Sequence, residues 1–153
     1  MTETVSIVKY TSSPDSLKKS IELCDGFKNL RPSDHVMIKP NLVAWDDQFP
    51  IAPFGVYTTT RLVEDLIVYL KDFGCSNITI GEGSVQLKKD MGTFAAFEGL
   101  GYKALEKKYG VTLVDFNQSK SEEFTYHGDH NLQIAKEAVE SDFFINFLTT
   151  RGF

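Results

Sequence analysis

Two stretches of this 153-residue sequence carry residue types and spacing suited to chemistry: Lys39-Pro40-Asn41 and Gly81-Glu82-Gly83-Ser84. Each follows a short apolar run, Val36-Met37-Ile38 and Ile78-Thr79-Ile80, with the β-branched character of a buried strand. Pro40 has no amide donor and keeps Lys39 extended, so the first strand ends on a cation, a rigid turn and an amide. A lysine there could hold an anionic group as a point charge. Glu82 could bind a ribose hydroxyl or a metal, or act as an acid or base. Its flanking glycines would let a ligand approach the backbone closely. Neither stretch is a fingerprint. The second lacks the third glycine of G-x-G-x-x-G, and neither is a Walker loop. A lone lysine is usually a solvated surface group, and the glycine stretch reads equally well as a tight turn.

The grouping of such residues is more informative than any one of them. Lys39 and Asn41, Thr58-Thr59-Thr60, Gly81 to Ser84, Asp115-Phe116-Asn117 and Asn146 all follow a strand or precede a helix. In a parallel sheet every strand-following segment lies on one edge, where ligands bind. Lys39 and Glu82 are then the expected catalytic pair. Asn41, Thr58, Thr59, Thr60, Gly81, Gly83, Ser84, Asn117 and Asn146 are the expected ligand contacts.

The elements that must position these residues are readable in order. Val5 to Tyr10 reads as a first strand. Ser13-Pro14-Asp15 supplies a cap, a proline and an early acid for a helix ending near Gly26. Leu62, Val63, Leu66, Ile67, Leu70 and Phe73 form the stripe of a long helix begun by the threonines and closed by Gly74. Strand, helix and strand at this spacing make a βαβ unit with parallel strands. Met91 to Tyr109 is mostly helical, broken at Gly99-Leu100-Gly101. Strands follow at Val111 to Asp115 and, exposed, at Glu122 to Tyr126. A helical turn over 135–140 and a last buried strand over Phe143 to Phe147 complete the chain. The pattern predicts one α/β domain over residues 1–153, with a mainly parallel sheet and helices on both faces in a Rossmann-like three-layer arrangement.

The segment from Ala44 to Tyr57 has no helical period and holds Trp45, Asp46, Asp47, Phe49, Pro50, Pro53 and Phe54. A loop of this length is usually functional or mobile. Its aromatics could cover a pocket, meet a partner or fold onto their own domain. His127-Gly128-Asp129-His130 has metal-ligand types at close spacing, but no third cluster supports it, so no metal site is expected.

The totals bound the class. Hydrophobic residues make up 42% of the chain and charged ones 24%, the balance of a soluble domain with a core. A net charge of -5 offers no basic excess for nucleic acid. No apolar run spans a bilayer, and no signal peptide opens the chain. Cys24 and Cys75 lie far apart and read as reduced thiols of a cytoplasmic protein.

The order of the motifs resembles the amino-terminal part of domain-of-unknown-function family 362. The resemblance runs from Val5 to Asn146 through Lys39-Pro40-Asn41-Leu42, Ile78-Thr79-Ile80-Gly81-Glu82-Gly83, Phe97-Glu98-Gly99-Leu100-Gly101-Tyr102, Val111 to Asn117 and Asp142 to Asn146. It implies an association with ferredoxin-type iron–sulfur modules. It maps the family's shared strand-end residues onto Lys39, Asn41, Gly81, Glu82, Gly83 and Asn146, and it brings no agreed reaction. The family's Pro-Lys-x-Lys-Thr-His-like run does not follow Asn146, where Phe147-Leu148-Thr149-Thr150-Arg151 stands instead. The chain also lacks the clustered cysteines of an iron–sulfur site. The expectation is therefore a fragment or a reduced relative, with no cofactor of its own and any cluster supplied by a missing region or a ferredoxin-like partner. Two functions fit. One is a redox-associated enzyme domain binding a small anionic ligand at the strand ends. The other is a non-catalytic module docked to a partner or to a missing carboxyl-terminal half.

Overall fold

The computed structural model describes residues 4–46, 56–86, 88–89, 91–126, 128 and 130–148. Within them the expected buried runs form a four-stranded sheet: β1 (Val36–Pro40), β2 (Ile78–Glu82), β3 (Thr112–Asp115) and β6 (Phe143–Phe147). The spatial order is β3-β2-β1-β6, and every neighbouring pair is parallel. The chain therefore steps outward from β1 to β2 to β3 and then returns to the other side of β1. The strand order reverses between β1 and β6, which is where ligands enter open parallel sheets.

The long helix α2 (Thr60–Phe73) forms as the stripe requires, with Val63, Leu66, Ile67 and Leu70 buried. Gly74 ends it at φ +108 and donates its amide to Leu70 and Lys71 carbonyls, a left-handed cap that glycine accepts without a Cβ penalty. Helix α1 (Asp15–Leu23) and the pair α3 (Thr93–Gly99) and α4 (Tyr102–Tyr109) complete the helical layer. Leu17 and Ile21 of α1, the α2 stripe and Leu105 of α4 share one core with Val36, Ile38, Ile80, Leu113 and Ile145 of the sheet. The alternate positions, Met37, Thr79, Gly81 and Phe144, share the opposite side by register. There the Phe116 ring lies across Gly81, so that a Cβ at position 81 would collide with it.

Three local expectations change. Val5 to Tyr10 forms no strand. Val5 and Ile7 are exposed, and among the described residues no strand pairs with them. Ser6 instead donates to the Ser20 carbonyl at 2.6 Å, tying the segment to α1. Ser13 does not cap α1, because its hydroxyl bonds the buried Asp65 carboxylate of α2. Pro14 rather than Ser13 precedes the helix, without a side-chain cap bond, and the Ser16 hydroxyl accepts the upstream Thr11 and Ser12 amides. The last strand is half-buried rather than buried, since β6 is a sheet edge with Phe144 45% exposed.

The exposed strand β4 (Ser121–Tyr126) pairs antiparallel with β5 (His130–Ala135), which periodicity did not reveal, and α5 (Lys136–Val139) follows. One side of this ribbon is polar, with Glu123 accepting from Asn131 and Gln133. The other carries Phe124, Leu132 and Ile134, all exposed. None of the helices among the described residues is long and apolar enough to cross a membrane.

Candidate functional site

Parallel strands put Lys39 and Glu82 on the same rim, and the two side chains meet. Lys39 Nζ lies 2.8 Å from Glu82 Oε2 and also donates to the Pro40 carbonyl at 3.1 Å. The lysine side chain is 30% exposed and the glutamate 8%. The pair is thus reached from solvent on the lysine side and sealed on the carboxylate side. The buried Tyr102 senses the glutamate's charge. Its buried hydroxyl donates to the Thr58 carbonyl at 2.6 Å. Burial, and then the negative charge of Glu82, push the Tyr102 hydroxyl well above its ordinary range, so it stays protonated and remains a donor.

Asn146 of β6 stands in register with Lys39 of β1. Paired residues of parallel strands project to the same side, so its exposed amide sits beside the lysine at the point where strand order reverses. Across that gap Thr58 acts as a stitch. Its hydroxyl accepts the Asn41 amide at 2.9 Å and donates to the Phe147 carbonyl at 2.8 Å. Its own amide bonds the Asn41 carbonyl at 3.0 Å. The Asn41 side chain is turned to the Val56 carbonyl at 2.9 Å. Thr59 is the residue before α2, without a side-chain cap bond, and Thr60 is its first residue. Asn41 and Thr58 therefore hold the rim together, while Lys39, Glu82 and Asn146 present charge and amide to it.

Gly83, Ser84 and Asn117 adjoin a neighbouring network organised by Asp115, a residue not counted among the expected contacts, whereas Gly81 lies under the Phe116 ring. Asp115 Oδ1 accepts the Thr93 hydroxyl at 2.7 Å and the Asn117 amide at 3.0 Å, and Oδ2 accepts Gln118 Nε2 at 3.0 Å. Thr93 Oγ1 accepts the Ser84 amide, and Asn117 Nδ2 donates to the Ser84 carbonyl. A Cβ on Gly83 would press on Asn117 Oδ1 at 3.0 Å. The signal for Asp115 was present in the sequence. It ends the apolar run from Val111 just as Glu82 ends that from Ile78, and the two are paired in register. The Ser84 hydroxyl is buried without a partner among the described residues.

Trp45 is half-buried and lies against Gly99 of α3, where a Cβ would collide with its indole. The expectation of an adhesive loop also named Phe49 and Phe54, which lie outside the described residues, as do His127 and Asp129. Among the described residues no three His, Cys, Asp or Glu side chains gather as a metal site. A cleft of about 320 Å³ opens elsewhere, between Ile21, Phe27, Tyr69 and Phe73. It is built from stacked aromatics, with Phe27 and Tyr69 rings 5.0 Å apart. The strand-end charges lie outside it, so residue chemistry favours the rim over the cleft.

A family model described as a domain of unknown function, DUF362, matches residues 36–152. The chain belongs to that family. The matched span contains the parallel sheet and each of the rim residues named above. No curated protein and no solved structure matches the chain. The iron–sulfur association implied by the resemblance has no fitting donors here. The chain has two cysteines, against the four thiolates a cluster usually requires. The Cys24 thiol donates to the Ser20 and Ile21 carbonyls, and burial pushes the Cys75 thiol above its ordinary range.

Proposed function

We propose that this DUF362 domain binds a small ligand through an anionic group at the carboxyl rim of its parallel sheet. Lys39 holds the anion, Asn146 orients it and Glu82 takes the acid or base role. The observation that carries the reading is the Lys39–Glu82 pair itself, 2.8 Å apart, half-sealed and beside the strand-order reversal. Structural ion pairs also occur at strand ends, but this one sits at the position where open parallel sheets take ligands. The family resemblance supports a redox association, with a ferredoxin-like partner supplying any cluster; the two widely spaced cysteines support the cytoplasm as the compartment. A thermal-shift panel of phosphates, carboxylates, nucleotides and amino acids tests the reading. At least one compound should stabilise the wild type, and Lys39→Met should lose that response. A panel without effect, or an equal response in the variant, refutes it.

A second reading, a non-catalytic docking module, is favoured by the β4–β5 ribbon. An isolated two-stranded ribbon is marginal in water, and this one turns Phe124, Leu132 and Ile134 outward. A third layer completing a Rossmann-like arrangement would cover Phe144 on the same reasoning. If docking through the ribbon is the function, Phe124→Ser with Leu132→Ser abolishes self-association or partner capture in size-exclusion chromatography. A monomer that is indifferent to both changes excludes it.

A further inference from the structure

The Lys39–Glu82 pair is a neutral object, and that restricts what can displace it. Resting on the rim as the ligand site, we infer that the ligand is a zwitterion, a small amino-carboxylate whose carboxylate seats on Lys39 and whose ammonium seats on Glu82. The reason is the asymmetry of burial. Glu82, 8% exposed, has little water to replace its partner, whereas Lys39 is 30% exposed. A ligand bearing only an anion would draw Lys39 away and leave the Glu82 carboxylate sealed without a counter-charge, which is strongly unfavourable. It would also bring a second negative charge beside it. A ligand bearing only a cation would satisfy Glu82 but leave Lys39 with the Pro40 carbonyl and solvent in place of a counter-charge. A ligand bearing both charges exchanges one ion pair for two and leaves no group unpaired.

The geometry assigns the moving part. Lys39, on its flexible four-carbon stem and open to solvent, swings toward the β6 side, while the sealed Glu82 stays in place. That motion brings its ammonium toward the exposed amide of Asn146, its register partner. The amide then adds a neutral donor for the carboxylate. Discrimination follows from charges left unpaired by the wrong ligand rather than from shape.

The test is an NMR-detected titration in EDTA. Glycine, L-alanine and β-alanine are the zwitterions, and acetate, inorganic phosphate and methylammonium are the single-charge controls. At least one amino acid should bind the wild type about tenfold more tightly than any control, a difference readily resolved. Glu82→Gln should weaken the amino acid by about tenfold and strengthen acetate and phosphate, because Lys39 is released. The neutral double variant Lys39→Met/Glu82→Gln, which leaves no charge unpaired and so protects folding, should bind none of them. The inference is overturned if acetate or phosphate binds the wild type as tightly as the amino acids do. It is also overturned if the double variant still binds an amino acid. Phosphate binding that appears only in a parallel titration with magnesium in place of EDTA, and that requires Glu82, would assign the carboxylate to a metal and overturn it as well. In the first and third cases the rim reading stands if Lys39→Met abolishes the binding. If no compound binds any variant through Lys39, the rim reading itself fails.

Discussion

Lys39 and Glu82 neutralise each other at the end of two parallel strands, so removing one exposes the cost of the other. Lys39→Met should destabilise the fold by about 1–3 kcal/mol by leaving the Glu82 carboxylate unpaired. Adding Glu82→Gln should return most of it, as urea unfolding of the four proteins of the cycle will show. A fully additive double variant would mean that the pair is not coupled. Thr58→Val removes a hydroxyl that both accepts from Asn41 and donates to Phe147. It should cost about 1–3 kcal/mol by leaving those backbone groups unsatisfied, and an unchanged melting temperature would contradict the stitch. These two cases mark what the sequence could and could not reveal. Lys39 and Glu82 were legible because each ends a recognisable apolar run. The role of Thr58 was not, because its partners stand 17 and 89 residues away in the chain. Asp115 obeyed the same strand-end rule as Glu82, and its bonding to Thr93 and Asn117 became visible only in three dimensions.

At the scale of elements, periodicity located α2 and the four parallel strands because their apolar faces are buried. It failed at Val5 to Tyr10, where apolar residues alternate without a neighbouring strand to pair with. It also missed β5, whose polar side is held by side-chain bonds to β4 rather than by a core. The contact between α3 and the segment after β1 is testable. Trp45 is the only tryptophan, and Gly99 leaves room for its indole. Gly99→Ala should displace the ring, shift the fluorescence emission to longer wavelength and destabilise the fold by about 1–3 kcal/mol through overpacking. An unchanged spectrum would place the indole elsewhere.

For the molecule as a whole, one pH effect follows from a contact between helices. The Lys108 ammonium on α4 bonds Glu64 of α2 at 2.8 Å, and the Tyr109 hydroxyl adds a second bond at 2.7 Å. These bonds hold the Glu64 carboxyl below its ordinary range. A carboxyl made more acidic by folding contributes stability that is present above its unfolded value and lost as pH falls through the folded one. Glu64→Gln should therefore be less stable than wild type at pH about 7, and the gap should close on acidification through the carboxylate range. The gap should be small because the lysine is largely exposed, and salt should shrink it. A gap that widens toward acid would reverse the sign. The central claim, that the rim between β1, β2 and β6 receives the ligand, is most directly tested by amide chemical-shift mapping of the wild-type protein with amino acids and phosphate. The largest shifts should fall on Asn41, Gly81, Gly83 and Asn146. Shifts concentrated on Ile21, Phe27 and Tyr69, or on the β4–β5 ribbon, would contradict it.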